Sequence, residues 1–172
     1  MGSHEEYRAL AESVGRGLAE RRATVVYGGG SLGLMGVVSN AVIDAGGKVT
    51  GVMPDFLRHL EAENPRVTRA ILTDNMFDRK QAMLDLSDAF LVLPGGLGTL
   101  DELFEVLTWR QLGRFDKPIV LLAENGFWQP YAAVIDHIIE QGFAGEGIRG
   151  LFTLVDSQAA AFAALGLAEP KR

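Results

Sequence analysis

The chain has 172 residues, 48% of them hydrophobic and 22% charged, with a formal net charge of −6, which is the length and composition of one globular domain and not of a disordered chain. Without cysteine it has no disulfide framework, thiolate metal site or cysteine nucleophile, and its acidic balance argues against a nucleic-acid or acidic-membrane surface, which needs a basic stripe. No apolar run approaches the roughly 18 residues that span a bilayer and no signal-peptide pattern opens the chain, so a soluble, cytoplasmic protein is expected.

In chain order the patterning predicts a helix over 5–20, a strand over 24–27, a helix over 34–45, strands over 49–53 and 67–72, and a helix over 75–86. A strand over 90–93, a helix over 99–112, a strand over 119–122, a helix over 128–141 and a strand over 152–155 follow. Alternation of short β-rich runs with helix-period stretches specifies βαβ units and a mainly parallel, doubly wound sheet. Runs 90–93 and 119–122 are apolar throughout, which predicts strands buried on both faces. No repeat or composition shift divides the chain, so 1–172 reads as one α/β domain. Opening on a helix is unusual for such a sheet, and Met1-Gly2-Ser3-His4 reads as an expression scar or a late start.

Glycine is in excess, at 21 of 172 residues against the roughly 7% usual. Eight of these residues fall in two clusters, each between a predicted strand and a predicted helix. The first is Tyr27-Gly28-Gly29-Gly30-Ser31-Leu32-Gly33-Leu34-Met35-Gly36, and the second is Leu93-Pro94-Gly95-Gly96-Leu97-Gly98-Thr99-Leu100-Asp101-Glu102. At such a turn glycine permits positive φ and close backbone approach, while the helix start supplies unpaired N–H groups and partial positive charge, a geometry that favours phosphate. Tight βα turns also need glycine for structural reasons alone. Two of them at one sheet edge make the ligand reading stronger, because open α/β sheets bind ligands at the carboxyl ends of their strands. Neither cluster has the Lys-Ser/Thr of a Walker A loop, and the first has the wrong spacing for a dinucleotide fingerprint. Nucleotide triphosphate hydrolysis and redox chemistry are therefore disfavoured.

Two charge pairs stand near these turns. Asp101 and Glu102 fall in the expected first turn of a helix, where they either complement the helix dipole or, for Glu102, face a pocket. Arg79 and Lys80 in Asn75-Met76-Phe77-Asp78-Arg79-Lys80 are either a solvated face or part of a site. Trp109, amid an apolar helix, is a core aromatic or an interface residue.

These segments, Tyr27-Gly28-Gly29-Gly30 with Gly33-Leu34-Met35-Gly36, Met76-Phe77-Asp78-Arg79-Lys80 and Pro94-Gly95-Gly96-Leu97-Gly98-Thr99-Leu100-Asp101-Glu102, closely resemble the LOG family of cytokinin riboside 5′-monophosphate phosphoribohydrolases, long mislabelled lysine decarboxylases. The similarity continues through Thr108-Trp109-Arg110-Gln111-Leu112-Gly113 and Lys117-Pro118 to the C-terminal helices. It implies a Rossmann-like fold, homodimeric association, no metal and no organic cofactor, and a nucleoside 5′-monophosphate substrate such as AMP cleaved to free base and ribose 5-phosphate. Arg79 and Glu102 are implied as the catalytic pair. Substrate contacts are implied from Glu61, Arg79, Lys80, Gly96, Leu97, Gly98, Thr99, Leu100, Asp101, Glu102 and Thr108, with Gly28, Gly29 and Gly30 as a phosphate-loop candidate. No pyridoxal-phosphate lysine motif is present, so the decarboxylase label does not carry over. Relatives usually begin with an apolar strand ending in a Gly-Ser turn, and Gly2-Ser3-His4-Glu5-Glu6-Tyr7 resembles the segment just after it, so that first strand is expected to be missing from this chain. The competing expectation is a carrier of a nucleotide or phosphate ligand, like the molybdenum-cofactor carriers of the wider superfamily, without catalysis.

Overall fold

The computed structural model describes residues 5–58 and 62–169, so the expectations placed on residues 1–4 and on Glu61 lie outside the described residues. The chain divides into two compact units, one formed by residues up to Ser87 together with Glu169 and the other by Asp88–Ala168.

In the first unit the order is α1 (Glu5–Glu20), β1 (Thr24–Tyr27), α2 (Gly33–Asp44), β2 (Lys48–Pro54), β3 (Arg69–Thr73) and α3 (Met76–Leu86). The strands form one parallel sheet in the order β1-β2-β3, with Tyr27 opposite Gly51 and Gly51 opposite Ala70. α1 forms because Leu10, Ala11, Val14 and Leu18 recur at helical spacing, and it buries them together with Gly15, Gly17 and Ala19. Val14, Val42, Val49 and Val52 are wholly excluded from solvent and mark the centre of this core.

In the second unit the order is β4 (Phe90–Val92), α4 (Leu97–Gln111), β5 (Ile119–Leu122), α5 (Gln129–Glu140), β6 (Thr153–Val155) and α6 (Gln158–Ala164). Its parallel sheet runs β4-β5-β6. β5 is buried at every residue, as its unbroken apolar run predicts. β4 is only half-buried, contrary to the expectation for 90–93, because it is the edge strand of its three-stranded sheet and not an interior one. Leu103, Leu107, Ile119, Leu121, Trp128, Tyr131 and Ile135 form the core. Within it the Trp128 and Tyr131 rings meet edge to face at 5.9 Å, and Tyr131 meets Phe152 at 5.7 Å. The Trp128 Nε1 and Tyr131 hydroxyl are buried there, and neither reaches a hydrogen-bond partner among the described residues. Burial pushes the Tyr131 pKa up to about 12.

Candidate active site

Arg79 is set by local sequence at the start of α3. Asn75 caps that helix, its side chain accepting from the Asp78 N–H at 2.9 Å, and the Arg79 N–H donates to the Asn75 carbonyl at 3.2 Å. The Arg79 side chain turns inward. Arg79 is only 6% exposed, so the solvated-face reading does not hold for it. Its Nη2 donates to the Gly28 carbonyl at 3.4 Å, and its Nη1 lies 3.7 Å from the Met76 sulfur. A Cβ at position 28 would collide with this guanidinium. The first glycine turn and the arginine are therefore one packed unit. Lys80, on the next azimuth, is half-buried.

Gly28, Gly29 and Gly30 are themselves buried. The turn they make at the end of β1 is closed by Arg79 on one side and by the segment 62–66 on the other, where Gly30 bridges Glu63 in antiparallel fashion. Gly29 has φ of +82° and Gly33 +62°, so both occupy the left-handed region that glycine alone enters freely. Tyr27 is buried beside Ser39 and Asn64, and burial raises its phenol pKa. It therefore stays a neutral hydroxyl across the physiological range.

In the second unit the turn after β4 differs in kind. None of Gly95, Gly96 and Gly98 has a positive φ; the reason for glycine at 95 is space, since a Cβ there would run into the Thr99 side chain. Gly96 is the N-cap of α4, with no side chain accepting from the first-turn N–H groups, and Gly96, Leu97 and Gly98 are exposed. An open helix start of this kind presents backbone donors and the positive end of the dipole. Because α4 begins at Leu97, Asp101 and Glu102 fall in its second turn and not its first. That weakens the dipole explanation for them, since the effect fades beyond the first turn. Glu102 is half-buried and Asp101 exposed. Gly98 and Glu102, four apart, share one helix face. Thr108 is exposed, and its hydroxyl donates to the Phe104 carbonyl at 2.7 Å within the same helix; it lies about 9 Å further along α4 than Glu102 at the usual rise per residue. Thus the structure joins Gly28 to Arg79 in one unit and Gly96–Gly98 to Glu102 in the other. Sequence reasoning missed Asn64 and Ser39, which are buried polar residues behind the first turn; an asparagine in a polar stretch before Pro65 gives no pattern to read.

Parallel βα units with glycine turns at the carboxyl ends of β1 and β4 define a Rossmann-like α/β protein. Two solved structures share that fold: TM1055, at a TM-score of 0.72 and 27% identity over 98% of this chain and 92% of its own, and the molybdenum cofactor binding protein of Rippkaea orientalis, at 0.71 and 20% over 96% and 89%. The second likeness concerns the fold alone. Among sequence relatives, the cytokinin riboside 5′-monophosphate phosphoribohydrolase of Rhodococcoides fascians is 44% identical over 143 residues, covering 83% of this chain and 72% of that protein. The rice enzyme of the same name, LOG (Oryza sativa subsp. japonica), is 45% identical over 148 residues, 86% of this chain and 61% of that protein. The family described as "Possible lysine decarboxylase" matches residues 35–165, a span that holds Arg79, Lys80, Glu102 and Thr108. The chain belongs to this family, in which its curated relatives are the LOG phosphoribohydrolases.

Proposed function

We infer that this protein hydrolyses the N-glycosidic bond of a nucleoside 5′-monophosphate, with an adenine or N6-substituted adenine base, to free base and ribose 5-phosphate. The observation that carries the reading is a buried arginine packed against a glycine turn in a chain whose relatives are named for this reaction.

Cleavage passes through an oxocarbenium-like sugar, as in glycoside hydrolysis, so positive charge develops at the anomeric carbon. A carboxylate aimed there stabilises it and orients the attacking water, the role we give Glu102. The water oxygen bonds to C1′, the C1′–N bond breaks with its electrons going to the base, and the proton from water ends on the base. Arg79 either fixes phosphate or ribose oxygens or polarises the leaving base. The exposed start of α4 at Gly96, Leu97 and Gly98 suits the 5′-phosphate. The 28–30 turn, being closed over, would contribute to anion binding through the Arg79 guanidinium it seats. Lys80, Thr99, Leu100, Asp101, Thr108 and Glu61 remain substrate-contact assignments supported by the family resemblance. No cofactor or metal is invoked.

We also propose a cytoplasmic homodimer. Leu97, Phe104 and Leu112 are 86%, 44% and 70% exposed and recur at spacings of seven and eight, which gives α4 and its C-cap residue Leu112 an apolar stripe.

The reading is tested by comparing AMP, adenosine and lysine as substrates. AMP should release adenine, adenosine should be turned over at least about tenfold more slowly because the phosphate supplies remote binding energy, and lysine should release no carbon dioxide. Equal rates on AMP and adenosine would remove the phosphate site from the account, and tight AMP binding without turnover would favour the carrier.

A further inference from the structure

The first glycine turn is held from behind by a buried asparagine. Asn64 is 2% exposed, and its carboxamide is engaged at both ends: Nδ2 donates to the Ser39 hydroxyl at 3.1 Å and to Asn40 Oδ1 at 3.2 Å, while Oδ1 accepts from the Arg66 N–H at 3.0 Å. Ser39, wholly buried, donates in turn to the Gly36 carbonyl at 3.2 Å. These bonds fasten the segment 62–66 to α2. From that anchor the segment grips the turn. The Asn64 N–H donates to the Gly29 carbonyl at 3.0 Å, and the Ser31 N–H and hydroxyl both donate to the Ala62 carbonyl, at 2.7 and 2.8 Å. The Gly28 carbonyl, one residue back, is the acceptor for Arg79 Nη2, and the same glycine lacks the Cβ that would collide with the guanidinium.

We propose that Asn64 is a positioning residue for Arg79, acting through the Gly28–Gly29 backbone on which the guanidinium rests. The inference builds on the reading of Arg79 as part of the catalytic machinery. Its physical content is that a misplacement of order 1 Å in a positioned group costs up to about a hundredfold in rate, whereas loss of a merely stabilising contact leaves the rate of the folded enzyme alone. A second consequence is that Asn64 should matter only while Arg79 is there to be positioned.

The test is a double-mutant cycle on AMP hydrolysis, measured at high enzyme concentration and at a temperature where every variant shows the parent circular-dichroism spectrum. Asn64→Ala should lower kcat/KM at least about tenfold in the parent and no more than about twofold when Arg79 is already alanine. The nearly isosteric Asn64→Asp, which loses the two Nδ2 donors but keeps the Arg66 contact, stands in if the alanine variant fails to fold, and it should show the same coupling. An equal loss in both backgrounds overturns the proposal and leaves the functional reading standing. If the parent releases no adenine from AMP, the functional reading falls instead, and if Arg79→Ala hydrolyses AMP at the parent rate, the catalytic role of Arg79 falls. The positioning claim is then decided by the Arg79 Nε–Hε resonance: a shift or broadening in Asn64→Asp supports it, and an unmoved signal overturns it.

Discussion

The guanidinium of Arg79 and the absent Cβ of Gly28 are two halves of one constraint, since the side chain occupies the volume a methyl group would need. Gly28→Ala should therefore keep the secondary structure, seen by circular dichroism, while reducing kcat/KM for AMP at least about tenfold by displacing Arg79; parent activity in that variant would show that the arginine's seat is immaterial. Tyr131 gives a different residue-scale test, because its hydroxyl is buried in an aromatic core without a hydrogen-bond partner among the described residues. Removing an unsatisfied buried hydroxyl relieves a desolvation cost of roughly 1–3 kcal/mol less the packing lost, so Tyr131→Phe should leave urea stability equal or raise it by about 1 kcal/mol. The sign of the pH dependence follows from the same burial. The folded pKa, raised to about 12, lies above the unfolded value near 10, so the unfolded state sheds its proton first and stability falls as pH rises from about 10 toward 12. Comparing the two proteins across that window isolates the tyrosine, and the phenylalanine variant should show the shallower decline.

At the scale of elements, the proposed roles of Arg79 and Glu102 depend on how α3 and α4 begin. The Asn75 cap fixes the first turn of α3 and so the entry of Arg79; Asn75→Ala should cost about 1 kcal/mol in denaturant unfolding. α4 begins on a glycine N-cap instead, which leaves its first-turn donors facing outward. Its exposed apolar stripe carries the dimer proposal: Phe104→Glu should shift the mass in light scattering from dimer to monomer, and an unchanged mass would remove α4 from the interface. Much of this layout was legible in the sequence. The spans of α1, β1 and β5 follow their hydrophobic periodicity residue for residue. α4 starts two residues earlier than the pattern suggests because Leu97 and Gly98 read as turn residues yet sit inside the helix. α6 escaped notice although Ser157 caps it, its side chain accepting from the Ala160 N–H; its alanine-rich run has little amphipathic contrast. The grip of 62–66 on the glycine turn was illegible for another reason, since the hydrogen bonds that tie it to α2 and to the turn join residues 24 to 35 positions apart, and no local pattern encodes them.

Across the whole chain, Arg79 belongs to the first unit and Glu102 to the second, and the family match spans both. Among the described residues no helix is long and apolar enough to cross a membrane. The net charge of −6 provides no broad basic surface, so the proposed anion binding has to rest on local groups. The proposed service of Glu102 in glycosidic cleavage is tested by one measurement: the parent and Glu102→Gln are each incubated with isopentenyladenosine 5′-monophosphate, and released base and ribose 5-phosphate are quantified together. The expected result is equimolar base and ribose 5-phosphate from the parent and a loss of about tenfold to a hundredfold in rate for the folded variant. Parent-level turnover by Glu102→Gln would remove the role given to Glu102, and no release of base by either protein would remove the activity itself.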